Sequence, residues 1–167
     1  GGFTSACGLS SVNLNLRVFG RTVVLAKIEG SLTKELSEMP TIIKLGSGSY
    51  ILPPIEYPDG NKYLKIGIRT DADATFEKVE DLKAWFKGKG STENRSEFTE
   101  FIKQLIPSLK HCKDWHSNTC VVTQTQSGLP IIEYVDDEKI AVAVGGNGKG
   151  AKGADEWGKI AANLINP

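Results

Sequence analysis

The apolar positions of this chain follow two rhythms, and the switches between them lay out its elements. The run LNLRVFGRTVVLAKIEG, from Leu14 to Gly30, is rich in branched apolar residues and carries a single interior glycine at Gly20, which predicts a long strand. SLTKELSEMP follows with a serine start, a glutamate four residues on and a proline stop, the pattern of a short helix. From Thr41 to Thr70, strand-like runs are punctuated by Gly-Ser-Gly and Pro-Asp-Gly, which predicts a β-meander with its second turn at Pro58-Asp59-Gly60.

The period then lengthens. KVEDLKAWFKG places Val79, Leu82, Trp85 and Phe86 on one helical stripe and stops at Gly88. NRSEFTEFIKQLIPSL groups Phe98, Phe101, Ile102, Leu105 and Ile106 before Pro107. TCVVTQT, LPIIEYV and KIAVAVG read as three more strands, the last almost wholly apolar and so expected to be buried. ADEWGKIAANLI closes the chain as a helix starting near Ala154, with Trp157, Ile160, Ala161, Leu164 and Ile165 on one face. Strands and helices are partly segregated, so the expected class is α+β, a mainly antiparallel mixed sheet flanked by helices. Trp85, Trp115, Trp157, Phe98 and Phe101 are assigned to the core.

Composition narrows the function classes. Lysine plus arginine is 20 and aspartate plus glutamate is 20, so the net charge is 0. That balance gives no electrostatic support for a nucleic-acid or acidic-membrane partner. No apolar run approaches the roughly 20 residues of a membrane span, and the opening residues carry no signal-peptide pattern. Cys7, Cys112 and Cys120 are too few and too scattered for a disulfide framework, which points to a reducing compartment. His111 and His116 lie beside Cys112 and Cys120, but the spacing matches no standard ligand set, so no metal is expected. Asn94-Arg95-Ser96 has the form of a glycosylation sequon, a triplet that also arises by chance. The chain opens on GGFTSACGLSS without an initiator methionine, which suggests a piece of a longer protein.

The candidate chemistry lies in AVAVGGNGKGAKGADEW, Ala141 to Trp157, where a strand passes through five glycines into a helix. Glycines allow close backbone approach, and first-turn N–H groups carry partial positive charge, so such a loop suits an anion or the negative end of a dipole. It is not a P-loop, because Gly150-Ala151-Lys152-Gly153 lacks the hydroxyl residue. The run Gly146 to Gly150 does not have the dinucleotide-binding spacing, and no βαβ unit follows it. A plain tight turn is the alternative, although so many glycines cost backbone entropy that something should offset.

With its surroundings the loop gains a likeness. Cys120-Val-Val-Thr123-Gln-Thr125, then Pro130-Ile-Ile, then the apolar strand into Gly146-Asn-Gly148-Lys149-Gly150-Ala-Lys152, resembles the C-terminal half of FAD-dependent amine and amino-acid oxidases of the DAO family, in particular the monomeric sarcosine oxidase type. Tyr50-Ile-Leu-Pro53 and Leu64-Lys65-Ile-Gly67 resemble strands of that group's substrate domain, in the same order. The resemblance covers roughly Arg21 to Ile165; each motif is weak singly, and four in register are fairly specific.

The resemblance implies a division into a substrate-binding part, residues 1–140, and a flavin-contacting part, residues 141–167. Gly145, Gly146, Asn147, Gly148, Lys149 and Gly150 would lie against the flavin of FAD, their amides receiving the charge that reduction places on its N1–C2=O edge. Lys152 would bind the substrate carboxylate as an ion pair at a dry site. Lys149 stands where sarcosine oxidase has a histidine, which alters the shape and pH response of the pocket. Lys65 would assist reaction with oxygen; the other reading is a solvated strand lysine. Cys120 matches the cysteine that forms a thioether with flavin in covalently flavinylated members; by itself a cysteine opening a strand is a small hydrophobe. Tyr50 would line the substrate side, or be a core tyrosine, and Val122 falls where the family has a second pocket aromatic. The implied reaction oxidises the C–N bond of an amine or N-methyl amino acid, with oxygen as acceptor and imine and peroxide as products. The dinucleotide-binding half would then be supplied by another chain or segment. A different class of reading, a non-catalytic binding or assembly module, stays open beside it.

Overall fold

The computed structural model describes residues 1–4, 14–46, 48–68, 73–135 and 140–166. Cys7 lies outside them, as do the ends of two expected strands at Arg69–Thr70 and at Lys139. The order of elements is β1 (Arg17–Lys27), α1 (Ser31–Glu35), β2 (Ile42–Lys44), β3 (Ser49–Glu56), β4 (Lys62–Gly67), β5 (Ala74–Thr75), α2 (Val79–Lys87), α3 (Thr92–Leu105), a 3-10 turn (Pro107–His111), β6 (Trp115–Gln124), β7 (Ile131–Val135), β8 (Ile140–Val144) and α4 (Gly150–Ile165). The α+β class is therefore the observed one. The chain divides into two compact units: Gly1–Gly20, Ala74–Lys83 and Val121–Pro167 form one, and Arg21–Asp73 with Ala84–Cys120 form the other.

The second of these, the sheet unit, holds the strand order β2-β3-β4-β1, with β6 also pairing β1. β1 pairs β4, β4 pairs β3 and β3 pairs β2, all antiparallel. The pairing of β3 slips between Leu52 and Ile55, where Pro53 and Pro54 have no N–H to donate. One face carries Val24, Ala26, Ile51, Leu64 and Ile66 into a core with Leu32, Leu36, Phe98, Ile102 and Leu109. The 3.6-residue period read from α3 is what aims Phe98 and Ile102 into that core. α3 starts at an N-cap serine, the Ser91 hydroxyl accepting a hydrogen bond from the Asn94 N–H at 3.1 Å. Thr22 to Ala26 are buried at every position, so alternation is lost and the segment reads as a continuous apolar run.

In the other unit, the ribbon unit, Phe19 and Gly20 at the start of β1 pair with β5. β7 and β8 form a two-stranded antiparallel ribbon, with Ile131 opposite Val144 and Val135 opposite Ile140. α4 packs on both strands, and the Tyr134 hydroxyl donates to the Leu164 carbonyl at 3.1 Å. Two expectations are corrected here. β8 is not a buried strand: only Val142 is buried, while Ile140, Ala141 and Ala143 are exposed, because among the described residues β8 pairs with β7 alone. α4 begins at Gly150 rather than near Ala154, so Lys152 and Gly153 belong to its first turn and not to the loop.

Candidate functional site

The residues singled out by resemblance fall into two clusters, one in each unit. In the sheet unit, Tyr50, Gly67 and Val23 make one cross-strand row and Leu52, Lys65 and Leu25 the next. Residues directly opposite in antiparallel strands share a face, so these rows lie on the face away from the Phe98 core. Ile43, on the outer strand β2, extends the first row beside Tyr50 and is exposed. Lys65 is half-buried between two leucines, and its ammonium lies 6.0 Å from the centre of the Tyr50 ring. The Tyr50 ring lies over Gly67, where a Cβ would come within 2.5 Å of the phenol ring.

Replacing Gly67 with Ala is therefore expected to lift Tyr50 off the sheet with little loss of fold, since neither residue belongs to the Phe98 core. The check is the phenol titration of Tyr50, followed by ultraviolet absorbance against a Tyr50→Phe control. Burial pushes that phenol up, with Cys120 adding to the effect and Arg21 opposing it. A lifted ring is hydrated and titrates at lower pH; an unchanged titration would show that the ring does not need the missing Cβ.

Cys120 ends the part of β6 that lies in the sheet unit and is half-buried. Its carbonyl accepts a hydrogen bond from Trp85 Nε1 at 3.2 Å. Burial pushes its thiol up in pKa, while the charges of Lys65 and Arg21 pull it down. Tyr50, Lys65 and Cys120, far apart in sequence, are thus close enough to feel one another electrostatically. Sequence reasoning missed a fourth member, Arg21, whose Nε makes an ion pair with Asp73 Oδ2 at 2.9 Å. The Asp73 side chain is 6% exposed, a carboxylate held out of water by that pairing. The two-residue period along β1 would have found Arg21, which shares the face of Val23 and Leu25; nothing local marks Asp73.

Cys112 is buried apart from this cluster, its thiol donating to the carbonyls of Lys27 and Asp114 at 3.3 and 3.4 Å. Among the described residues no three His, Cys, Asp or Glu side chains converge as a metal site would need.

In the ribbon unit, the glycine loop borders a cavity of about 370 Å³. Its walls include Val122, Thr123, Ile132 and Trp157, and its floor is the backbone of Gly145 to Gly148 with Gly150. Gly145 and Gly148 have φ of 77° and 71°, and Asn147, unusually for a non-glycine, 51°. The N–H groups of Gly146, Gly148 and Gly150 have no hydrogen-bond partner among the described residues. Amide donors beside apolar walls fit a planar, electron-rich ring edge such as that of a flavin.

Lys149 and Lys152 are exposed, lack an ion-pair partner among the described residues and do not line the cavity. Gly148, Gly150 and Gly153 also have the Gly-x-Gly-x-x-Gly spacing. Here Gly153 serves helix packing: a Cβ there would lie 2.6 Å from the Trp157 indole.

No protein-family model matches the sequence, and no curated protein does. In structure the chain is similar to Amadoriase I, the fructosyl amine:oxygen oxidoreductase of Aspergillus fumigatus. The TM-score is 0.70 at 17% identity, covering 92% of this chain and 35% of that one. It is also similar to glycine oxidase from Geobacillus kaustophilus, with a TM-score of 0.69 at 20% identity, over 99% of this chain and 40% of that one. The likeness establishes the fold. The chain spans less than half the length of the solved structures it matches.

Proposed function

We propose that this chain is the substrate-binding part of an FAD-dependent oxidase that acts on the C–N bond of an amine or a secondary or N-methyl amino acid. The observation that carries the reading is the clustering of Tyr50, Lys65 and Cys120 in the sheet unit, three positions the oxidase resemblance selects from separate motifs. The names of the two structural neighbours, a fructosyl amine:oxygen oxidoreductase and a glycine oxidase, favour the same class of reaction. Within that class the motifs resemble the monomeric sarcosine oxidase type. The dinucleotide-binding half is assigned to another chain or segment.

The cofactor's contribution is to accept a hydride and deliver electrons to oxygen. The chain's own residues do the rest. Gly146, Gly148 and Gly150 offer amide donors to the cofactor's electron-rich edge. Tyr50 walls the substrate side, and Leu25 and Leu52 exclude water around Lys65. The Lys65 ammonium stabilises the negative charge that oxygen acquires. Lys152, in the first turn of α4, is assigned the substrate carboxylate, and Lys149 the adjoining position. Cys120 is assigned covalent attachment; its thiol must first lose its proton, a step that Lys65 and Arg21 favour against burial.

Acid precipitation of the holoprotein tests the attachment. Flavin is expected to stay with wild-type precipitate and to appear in the supernatant for Cys120→Ser. Free flavin from both would withdraw the covalent assignment while leaving the oxidase reading in place. The exposed apolar residues of β8 and α4, with Ile160 45% and Ile165 55% exposed, favour a second reading as a binding or assembly module. A preparation that stays colourless and takes up no FAD even together with a dinucleotide-binding half would decide for that module.

A further inference from the structure

The Asn147 side chain bridges the glycine loop and the end of β6. Its Oδ1 accepts the Thr125 N–H at 2.9 Å, and its Nδ2 donates to the carbonyl of Gly145. Its own N–H donates to the Thr123 carbonyl at 2.9 Å. Thr125 is in turn fixed by its hydroxyl, which donates to the Leu129 carbonyl at 2.7 Å. Thr123 and Thr125 are both buried. Gly145 completes the joint: a Cβ there would fall 2.2 Å from Thr125 Cγ2, so only glycine lets the loop close over the threonine.

We propose that Asn147 is a positioning residue that clamps the glycine loop to the end of β6. It thereby preorganises the amides of Gly146, Gly148 and Gly150 for the electron-rich carbonyl edge of a flavin-type ring. A loop with this much glycine would otherwise sample many backbone states, and ordering it on binding would cost affinity. Asparagine suits the position twice over. It tolerates the left-handed backbone better than most side chains, and its amide offers an acceptor and a donor in one plane. Aspartate keeps the acceptor for Thr125 but loses the donor to Gly145; glycine keeps the backbone conformation and loses both.

The choice of ligand rests on the oxidase reading; the clamp does not, and the experiment separates them. Amide hydrogen exchange over residues 143–152 is measured on the ligand-free protein, and FAD affinity by quenching of flavin fluorescence in the assembled protein that carries the dinucleotide-binding half. Asn147→Ala and Asn147→Gly are both expected to exchange about tenfold faster and to bind FAD about tenfold more weakly. Asn147→Asp should fall between them and wild type, and serves if the alanine variant fails to fold. Wild-type exchange in Asn147→Gly would mean that backbone conformation alone holds the loop, and the proposal falls. Faster exchange with unchanged FAD affinity would also overturn it, since the clamp would not serve the ligand. If the wild-type chain binds no FAD even together with its dinucleotide-binding half while the exchange pattern is as expected, the clamp stands and the cofactor reading fails.

Discussion

On the proposed oxidase reading, Lys65→Met in the assembled protein is expected to slow reoxidation by oxygen about 10²- to 10³-fold, the usual loss when one group stabilising developing charge is removed. Reduction by substrate should be nearly unchanged. The reasoning starts from the strand: Lys65 sits in a row with Leu25 and Leu52, half-buried, where its ammonium is a fixed positive charge in a poorly solvated place. Transfer of the first electron to oxygen creates negative charge, and a preplaced cation lowers that barrier without reorganising. Methionine keeps the length and apolar character of the stem, so the row stays packed while the charge goes. Stopped-flow measurement of each half-reaction, with anaerobic substrate and then with oxygen, reads the two effects separately. Equal slowing of both halves would assign Lys65 to substrate binding or to folding instead.

Phe98→Ala is expected to remove about 3–5 kcal/mol of stability, a large part of the roughly 5–15 kcal/mol that holds a domain together. Phe98 is 0% exposed and joins α3 to the sheet through Val24, Ile51, Leu64 and Ile66. Its loss leaves a ring-sized void that a sheet and a helix cannot easily close. Urea unfolding followed by circular dichroism measures it, and a loss below about 1 kcal/mol would mean that α3 does not pack as described. The same change should disturb Tyr50 and Lys65, because Ile51 and Ile66 alternate with them along β3 and β4. Core packing on one face sets the height of the site on the other.

Much of this was legible in the residues because it depends on neighbours in sequence. The turn residues at Gly46 and Pro58-Asp59-Gly60 mark the meander, and the helical period of Phe98 and Ile102 marks α3. Period two along β4 separates Lys65 from the core residues Leu64 and Ile66 on either side of it. The start of α4 was misplaced by four residues, because Gly150 and Gly153 have low intrinsic helix propensity and Trp157 packs into the space Gly153 leaves. The exposure of β8 was not legible either, since an apolar run reads alike whether or not a second strand covers it.

By itself the sequence determined the order of the main elements, the α+β class and the alternation of side chains along β3 and β4, since backbone sterics and apolar periodicity act over a few residues. Only the tertiary structure decided that Tyr50 rests on Gly67, that Arg21 is tied to Asp73, and that the Asn147 side chain accepts from Thr125. Each of these joins groups 17 to 52 residues apart. Cross-strand register and burial bring them together, and neither is a property of any local stretch of chain.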